Sequence, residues 1–210
     1  MITEIGGTVG DIESLPYIES VRQLKWEMQS NSLVIHLTLV PYLSTSGELK
    51  TKPTQHSVKT LLEAGVQPDI LVLRTQKTIT PEVRKKVALF CNVEINSVIE
   101  SIDVSTIYEV PLLMKKEKLD VTVLNKLGLA VKGEIDMKKW TVFLNKLKNP
   151  KKKVKIGLIG KYVEFADAYK SITESFAHAG AINDCKVELQ LITSEKIDDE
   201  TTAEDRKSVV

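Results

Sequence analysis

The chain has 210 residues, 42% of them hydrophobic, and carries 29 lysines and arginines against 28 acidic residues for a formal net charge of +1. That length and apolar content suffice for at least one buried core and exclude a wholly disordered chain. The balanced charge gives no long-range field for nucleic acid or an anionic membrane, so any anion site must be local. No apolar run approaches the roughly 18 residues of a spanning helix. The N-terminus also lacks the basic and apolar regions of a signal peptide. The expectation is a soluble cytoplasmic protein with neither nucleic acid nor membrane as partner. Cys91 and Cys185 lack the spacing of a zinc, redox or disulfide framework and read as core thiols.

In chain order, residues 1–3 read as the end of a strand, followed by the glycine-rich stretch EIGGTVGDIES. Residues 15–28 have helical period, with Ile18, Val21, Leu24 and Met28 on one face. SLVIHLTLV, residues 32–40, is short and apolar enough for a buried strand. Val58, Leu61 and Leu62 mark a second helix face, DILVLR (69–74) a strand, Val83, Val87 and Phe90 a third helix face, and SVIES (97–101) another strand. Such alternation predicts an α/β fold, a parallel sheet with flanking helices. Residues 111–150 are short, basic and helical, with Trp140, Phe143, Leu144 and Leu147 on one stripe, the pattern of a cap or linker helix. After Pro150 a lysine run, read as solvated linker, leads into a fresh strand at 154–160, which is how a new domain begins. One strand–helix–strand unit follows before the polar tail EKIDDETTAEDRKSVV. The predicted division is therefore 1–134, a linker helix at 135–153, and 154–210.

Three constellations carry chemistry. Glu4 stands where a parallel strand delivers side chains to a ligand crevice, and a carboxylate before GGTVG suits a hard cation such as magnesium. Asp11 and Glu13 share a side if that stretch is extended, and can accept from sugar hydroxyls or a base amine. The equal alternative is a glycine-rich turn with capping acids before the helix at 15–28. No Gly-Lys-Ser/Thr follows, so this is not a Walker A loop.

In SGELKTKPTQHS, Lys50 and Lys52 alternate in an extended segment and Pro53 sits where a helix would start. Two ammonium groups, a helix N-terminus and the amide of Gln55 suit a polyphosphate. A solvated loop with an N-terminal proline is the alternative. Arg74 ends a buried strand, a better site candidate than the helix cations Arg84, Lys85 and Lys86, most of which read as solvent-exposed. His36 reads as a satisfied core histidine, and His178 lacks the neighbours of a triad. Neither cysteine has a nucleophile context.

Together, EIGGTVGDIESLPYIESVRQ, HLTLVPYLSTSGELKTKPTQHSVKTLLEAGVQPDILVLR, ALFCNV and KIGLIGKYVEFADAYKSITESFAHAG closely resemble, in this order, the CTP synthase family. The resemblance runs from residue 2 to about residue 193. It implies a P-loop NTPase-like amidoligase domain, here incomplete, followed by the first strand–helix–strand of a class I glutamine amidotransferase domain. The activity it implies is ATP-dependent amination of UTP to CTP with ammonia from glutamine, a ligase reaction of pyrimidine biosynthesis that uses magnesium. ATP phosphorylates the uracil 4-oxygen and ammonia displaces the phosphate.

By matching motif, Glu4 is similar to the family's magnesium carboxylate. Asp11, Ile12 and Glu13 resemble the segment that binds the pyrimidine nucleotide. Lys50, Thr51, Lys52, Pro53, Thr54 and Gln55 resemble the loop that clamps the triphosphate of UTP or inhibitory CTP, and Lys86 a further nucleotide lysine. Arg74, with Ile102, Asp103 and Val104, resembles the ATP adenine side. The intact family also takes GTP and forms a homotetramer. Family members carry a Walker-type loop and a second metal aspartate upstream of this glutamate, and a Gly-x-Cys-x-Gly nucleophile with a His–Glu pair downstream. None of these stands in the 210 residues, so the expectation is a truncated chain without CTP synthesis of its own. A non-catalytic nucleotide-binding or subunit-interaction module is the alternative. A dethiobiotin or cobyrinate synthase relative fits KTKPTQHS poorly.

Overall fold

The computed structural model describes residues 1–165 and 167–196, in two compact units, Met1–Ile135 and Asp136–Val210. Most of the polar tail read from the sequence lies outside the described residues. In the first unit the order is α1 (Leu15–Met28), β1 (Ile35–Val40), β2 (Tyr42–Leu43), β3 (Glu48–Leu49), α2 (Lys52–Glu63), β4 (Ile70–Thr75), α3 (Pro81–Cys91), β5 (Val98–Ile102), α4 (Val110–Lys116) and α5 (Leu119–Lys126). The second unit has α6 (Lys138–Lys148), β6 (Lys152–Gly160), α7 (Lys170–Ile182) and β7 (Cys185–Thr193).

The first sheet is parallel with strand order β1-β4-β5. Side chains of a strand alternate between faces, and β4 spends both sets on core. Leu71 and Leu73 pack with Val40, Val58, Val87 and Val98 under α2 and α3. Ile70 and Val72 pack with Ile99 against Met114, Leu119 and Val123 of α4 and α5. The helices that cover the sheet begin where proline stands in the first turn: Pro16 in α1, Pro53 in α2, Pro81 in α3. Proline lacks an N–H that would go unpaired there in any case. Thr80 caps α3 by accepting from the Val83 N–H at 3.3 Å, and Asn92 ends it in the left-handed region at φ 53°. Lys25 of α1 pairs with Asp69 at 2.5 Å, and the same carboxylate accepts the Val34 N–H at 2.7 Å, fixing α1 to the entry of β4.

The parallel sheet and its helices agree with the sequence reading, and several details depart from it. Residues 1–3 form no strand. On α1, Ile18 is buried but Leu24 and Met28 are exposed, because α1 packs through Ile18 and Val21 onto Leu61 and Val66 and turns its outer half away. On α3 the third inward position is Cys91, and Phe90 is 60% exposed. Of the cap and linker alternatives for the stretch from 111, residues 110–126 take the first, α4 and α5 covering one face of the sheet within the first unit. Of the three helix cations, Lys85 and Lys86 are exposed as read, while Arg84 donates to the Val98 carbonyl and pairs with Glu117 at 2.9 Å.

In the second unit β6 and β7 pair in parallel through nine residues, Lys152↔Cys185 to Gly160↔Thr193. Lys152 and Lys153 therefore belong to the strand rather than to a linker, and Lys153 pairs with Glu188 at 3.2 Å. The helix α6 packs on α7, with Phe143 meeting the edge of His178 at 5.7 Å and Lys146 pairing with Asp184 at 3.4 Å. Cys185 starts β7 and is only half-buried.

Candidate functional site

Register decides what the sheet presents. Val40 pairs with Thr75 and Thr75 with Ile102, so β1, β4 and β5 end level. In an open parallel sheet the carboxyl ends of the strands are where ligands bind. Three segments leave that edge side by side: Pro41 into the β2–β3 hairpin and α2, Gln76 into a turn before α3, and Asp103 toward α4.

The first segment carries residues 50–55. The Lys50 N–H donates to the Pro41 carbonyl at 2.9 Å, which pins the hairpin exit to the end of β1. Lys50 and Lys52 do not alternate in an extended stretch, because α2 starts at Lys52 and Thr51 already has helical angles. Only part of the motif faces outward. Thr54 is fully buried, its hydroxyl 3.1 Å from both the Thr38 hydroxyl and the Leu39 carbonyl. Thr51 is buried too and accepts from the Gln55 amide at 3.0 Å. Lys52 and Pro53 are exposed and Lys50 half-buried. The threonines set the helix on the strand, while the lysines and the helix N-terminus can meet an anion. Lys50 donates to Glu48, which holds the Glu48 carboxyl below its usual range, with Lys86 contributing from a distance.

The second and third segments share a contact. Exposed Arg74 donates to Asp103 at 3.1 Å, and the Asp103 N–H donates to the Thr75 carbonyl at 2.8 Å. Arg74, Ile102, Asp103 and Val104 thus lie together, with an ion pair joining two of the four. The turn after β4 is fixed from below: buried Glu100 accepts the Ile79 N–H at 2.6 Å, and Glu117 accepts the Glu100 N–H at 2.9 Å. Lys77 in that turn lies 5.6 Å from the centre of the Tyr42 ring, a cation–π contact joining turn to hairpin.

Asp11, Ile12 and Glu13 lie elsewhere. They form a turn, not an extended stretch, and all three are exposed. Asp11 accepts the Thr8 N–H at 2.8 Å and so closes its own loop, with Gly7 and Gly10 at φ 84° and 105°. A Cβ at Gly10 would lie 3.4 Å from Thr60. Thr60 is eight residues along α2 from Lys52, about 12 Å at helical rise. Within one chain the structure does not bring this loop to the lysine loop. The stretch is the glycine-rich turn of the alternative reading; the N-cap of α1 is Ser14, with no side-chain cap hydrogen bond, and Asp11 bonds back to Thr8.

Glu4 is exposed, and among the described residues no group of three or more histidine, cysteine or carboxylate side chains is gathered for a metal. These residues alone do not build a magnesium site. His36 is buried, 2.9 Å from the Ser57 hydroxyl, and burial pushes its pKa down. Burial pushes the Cys91 thiol up to about 11, which keeps it an unreactive core thiol.

Tyr42, Glu48 and Lys77 are residues at this edge that the sequence reading did not single out. For Glu48 a signal existed, since it precedes Lys50 by two positions in a stretch with strand character. Lys77 and Tyr42 meet only through tertiary structure and left no such trace.

A family model for the CTP synthase N-terminus matches residues 1–129. The chain is similar to the CTP synthase of Cytophaga hutchinsonii, 67% identical over 198 residues, or 94% of this chain and 37% of that protein. Against the CTP synthase of Flavobacterium johnsoniae it is 62% identical over 97% of this chain and 38% of that protein. Against that of Porphyromonas gingivalis it is 56% identical over 100% of this chain and 39% of the relative. The chain thus spans well under half the length of the curated relatives it matches.

Proposed function

The chain belongs to the CTP synthase family, and from that premise we propose that its first unit carries the triphosphate loop and the ATP adenine side of an enzyme that aminates UTP to CTP. Lys50, Lys52 and Lys86 neutralise the phosphates of UTP or of product CTP, aided by the N-terminus of α2. Arg74 and the backbone of Ile102, Asp103 and Val104 receive ATP. Asp11, Ile12 and Glu13 contribute to pyrimidine-nucleotide binding from their separate loop. Glu4 is a magnesium carboxylate only jointly with phosphate oxygens, since one side chain does not complete the shell of the ion. The metal supplies charge neutralisation on the phosphates when bound.

The observation that carries this reading is the level ending of β1, β4 and β5, which brings the lysine loop, Arg74 and residues 102–104 to one edge. For the second unit we propose the beginning of a glutaminase domain over 154–210, its first strand extended back to Lys152, with α6 inside the 135–153 stretch as the connecting helix. Support comes from its parallel β6–α7–β7 unit and the quoted resemblance.

These residues bind nucleotide without forming CTP by themselves, because the 210 residues include no Gly-Lys-Ser/Thr sequence. Calorimetry with CTP and UTP in magnesium buffer tests the binding. The chain is expected to bind both, and a Lys50→Ala, Lys52→Ala double variant to lose most of that affinity. Equal binding by the variant overturns the assignment. Appearance of CTP from UTP, ATP and ammonia overturns the expectation of inactivity.

A second reading, a subunit-interaction module, is favoured by one observation. Ile35, Leu37 and Leu39 leave the outer face of β1 apolar and exposed, and Tyr17 and Trp26 of α1 are 64% and 77% exposed. Sedimentation showing only monomer at high concentration would count against it.

A further inference from the structure

Lys50 is not an open cation in this chain. The run from β3 into Lys50 sets Glu48 and Lys50 on one side, and the Lys50 ammonium donates to the Glu48 carboxylate. The hairpin that presents them is tied at its tip, with the Gly47 N–H donating to Leu43 at 2.8 Å, and at its exit, with the Lys50 N–H donating to Pro41. Lys86 adds positive potential at the same carboxylate. The side chains of the pair are 43% and 53% exposed, so water can take over either partner. Such a contact is exchangeable, unlike a buried lock.

We propose that Glu48 is the resident counter-anion of the phosphate-binding lysines, a carboxylate that an incoming polyphosphate displaces from Lys50. The proposal rests on the reading of Lys50 and Lys86 as a triphosphate site. A polyphosphate brings more charge and more acceptor oxygens than one carboxylate and wins the exchange. A single phosphate gains less from it. Glu48 thereby sets a threshold that favours ligands with a chain of phosphates over those with one.

The test is calorimetric titration of the full chain with inorganic tripolyphosphate, orthophosphate and CTP, using wild type, Glu48→Gln, Lys50→Met and the double variant, with a thermal melt of each. Glu48→Gln is expected to bind tripolyphosphate about two- to five-fold more tightly, the scale of an exposed ion pair. Orthophosphate should gain at least as much, and the gain should vanish in the Lys50→Met background. If Glu48→Gln melts early, Glu48→Thr, which suits a strand, is read in the same way. Unchanged or weaker binding in a folded Glu48 variant overturns the proposal, as does a gain that survives Lys50→Met. No binding of CTP by the wild type, with the Glu48→Gln gain for tripolyphosphate intact, refutes the nucleotide reading and leaves the exchange standing. Tight CTP binding without that gain does the reverse, and no tripolyphosphate binding by any variant overturns both.

Discussion

The two parallel sheets differ less in sequence than in burial. DILVLR in β4 and KIGLIG in β6 are both apolar runs of strand length. Yet Ile70, Leu71 and Leu73 of β4 are fully buried, while Val154 and Ile159 of β6 are 44% and 58% exposed. The cause is coverage: β4 has a strand on each side and helices over both faces, whereas among the described residues β6 has one strand partner, β7. An apolar strand states what it needs, and neighbouring elements decide whether it is met. β1 shows the same within one strand, with His36, Thr38 and Val40 buried and Ile35, Leu37 and Leu39 exposed.

The sharpest test of that contrast is one substitution made in both sheets. Leu73→Ala, in the fully buried strand, should cost about 2–5 kcal/mol through lost contacts and a cavity. Leu158→Ala, at a half-buried site, should cost under about 2 kcal/mol because solvent already reaches it. Denaturant unfolding gives the totals and hydrogen exchange assigns them to each unit; equal costs would break the comparison.

Gly180→Ala probes what does hold the second sheet. A helical glycine replaced by alanine ordinarily gains up to about 1 kcal/mol, but here the new Cβ would lie 2.6 Å from the Cys185 carbonyl. Overpacking should win, with a net loss of about 1–3 kcal/mol, and thermal melting that shows a gain would mean α7 and β7 can separate freely.

His36 sharpens the polar seam under α2. Burial lowers its pKa below 6.5, so the unfolded chain takes up the proton first and stability falls as pH drops through about 6.5 toward the lower folded value. Melting between pH 7.5 and 5.5 should show that fall in wild type, and His36→Gln should flatten it. The smallest effect is expected from Thr80→Ala, about 1 kcal/mol, from loss of the α3 cap. Hydrogen exchange at the first turn of α3 would detect it as local fraying.

Particular elements show how far the sequence could be read. β4 and β5 were legible as short apolar runs, and α1 was legible with its bounds because Pro16 opens it and its period is regular. The inward faces were less so. Leu24 on α1 and Phe90 on α3 fit the period but lie beyond the edge of the packed surface, and Cys91 took the inward place on α3. The β2–β3 hairpin has two residues in each strand, too few for any pattern.

At the site, the lysines, Arg74 and the helix start were visible as residue types in local order. The sequence by itself determined the family and the apolar strands, because a local motif and a local period need only neighbours in the chain. The tertiary structure decided that β1, β4 and β5 end level, that Thr51 and Thr54 turn inward while Lys52 turns out, and that the Asp11 loop lies away from Lys50. Those outcomes depend on strand register and helix seating, which arise from packing between segments far apart in the chain.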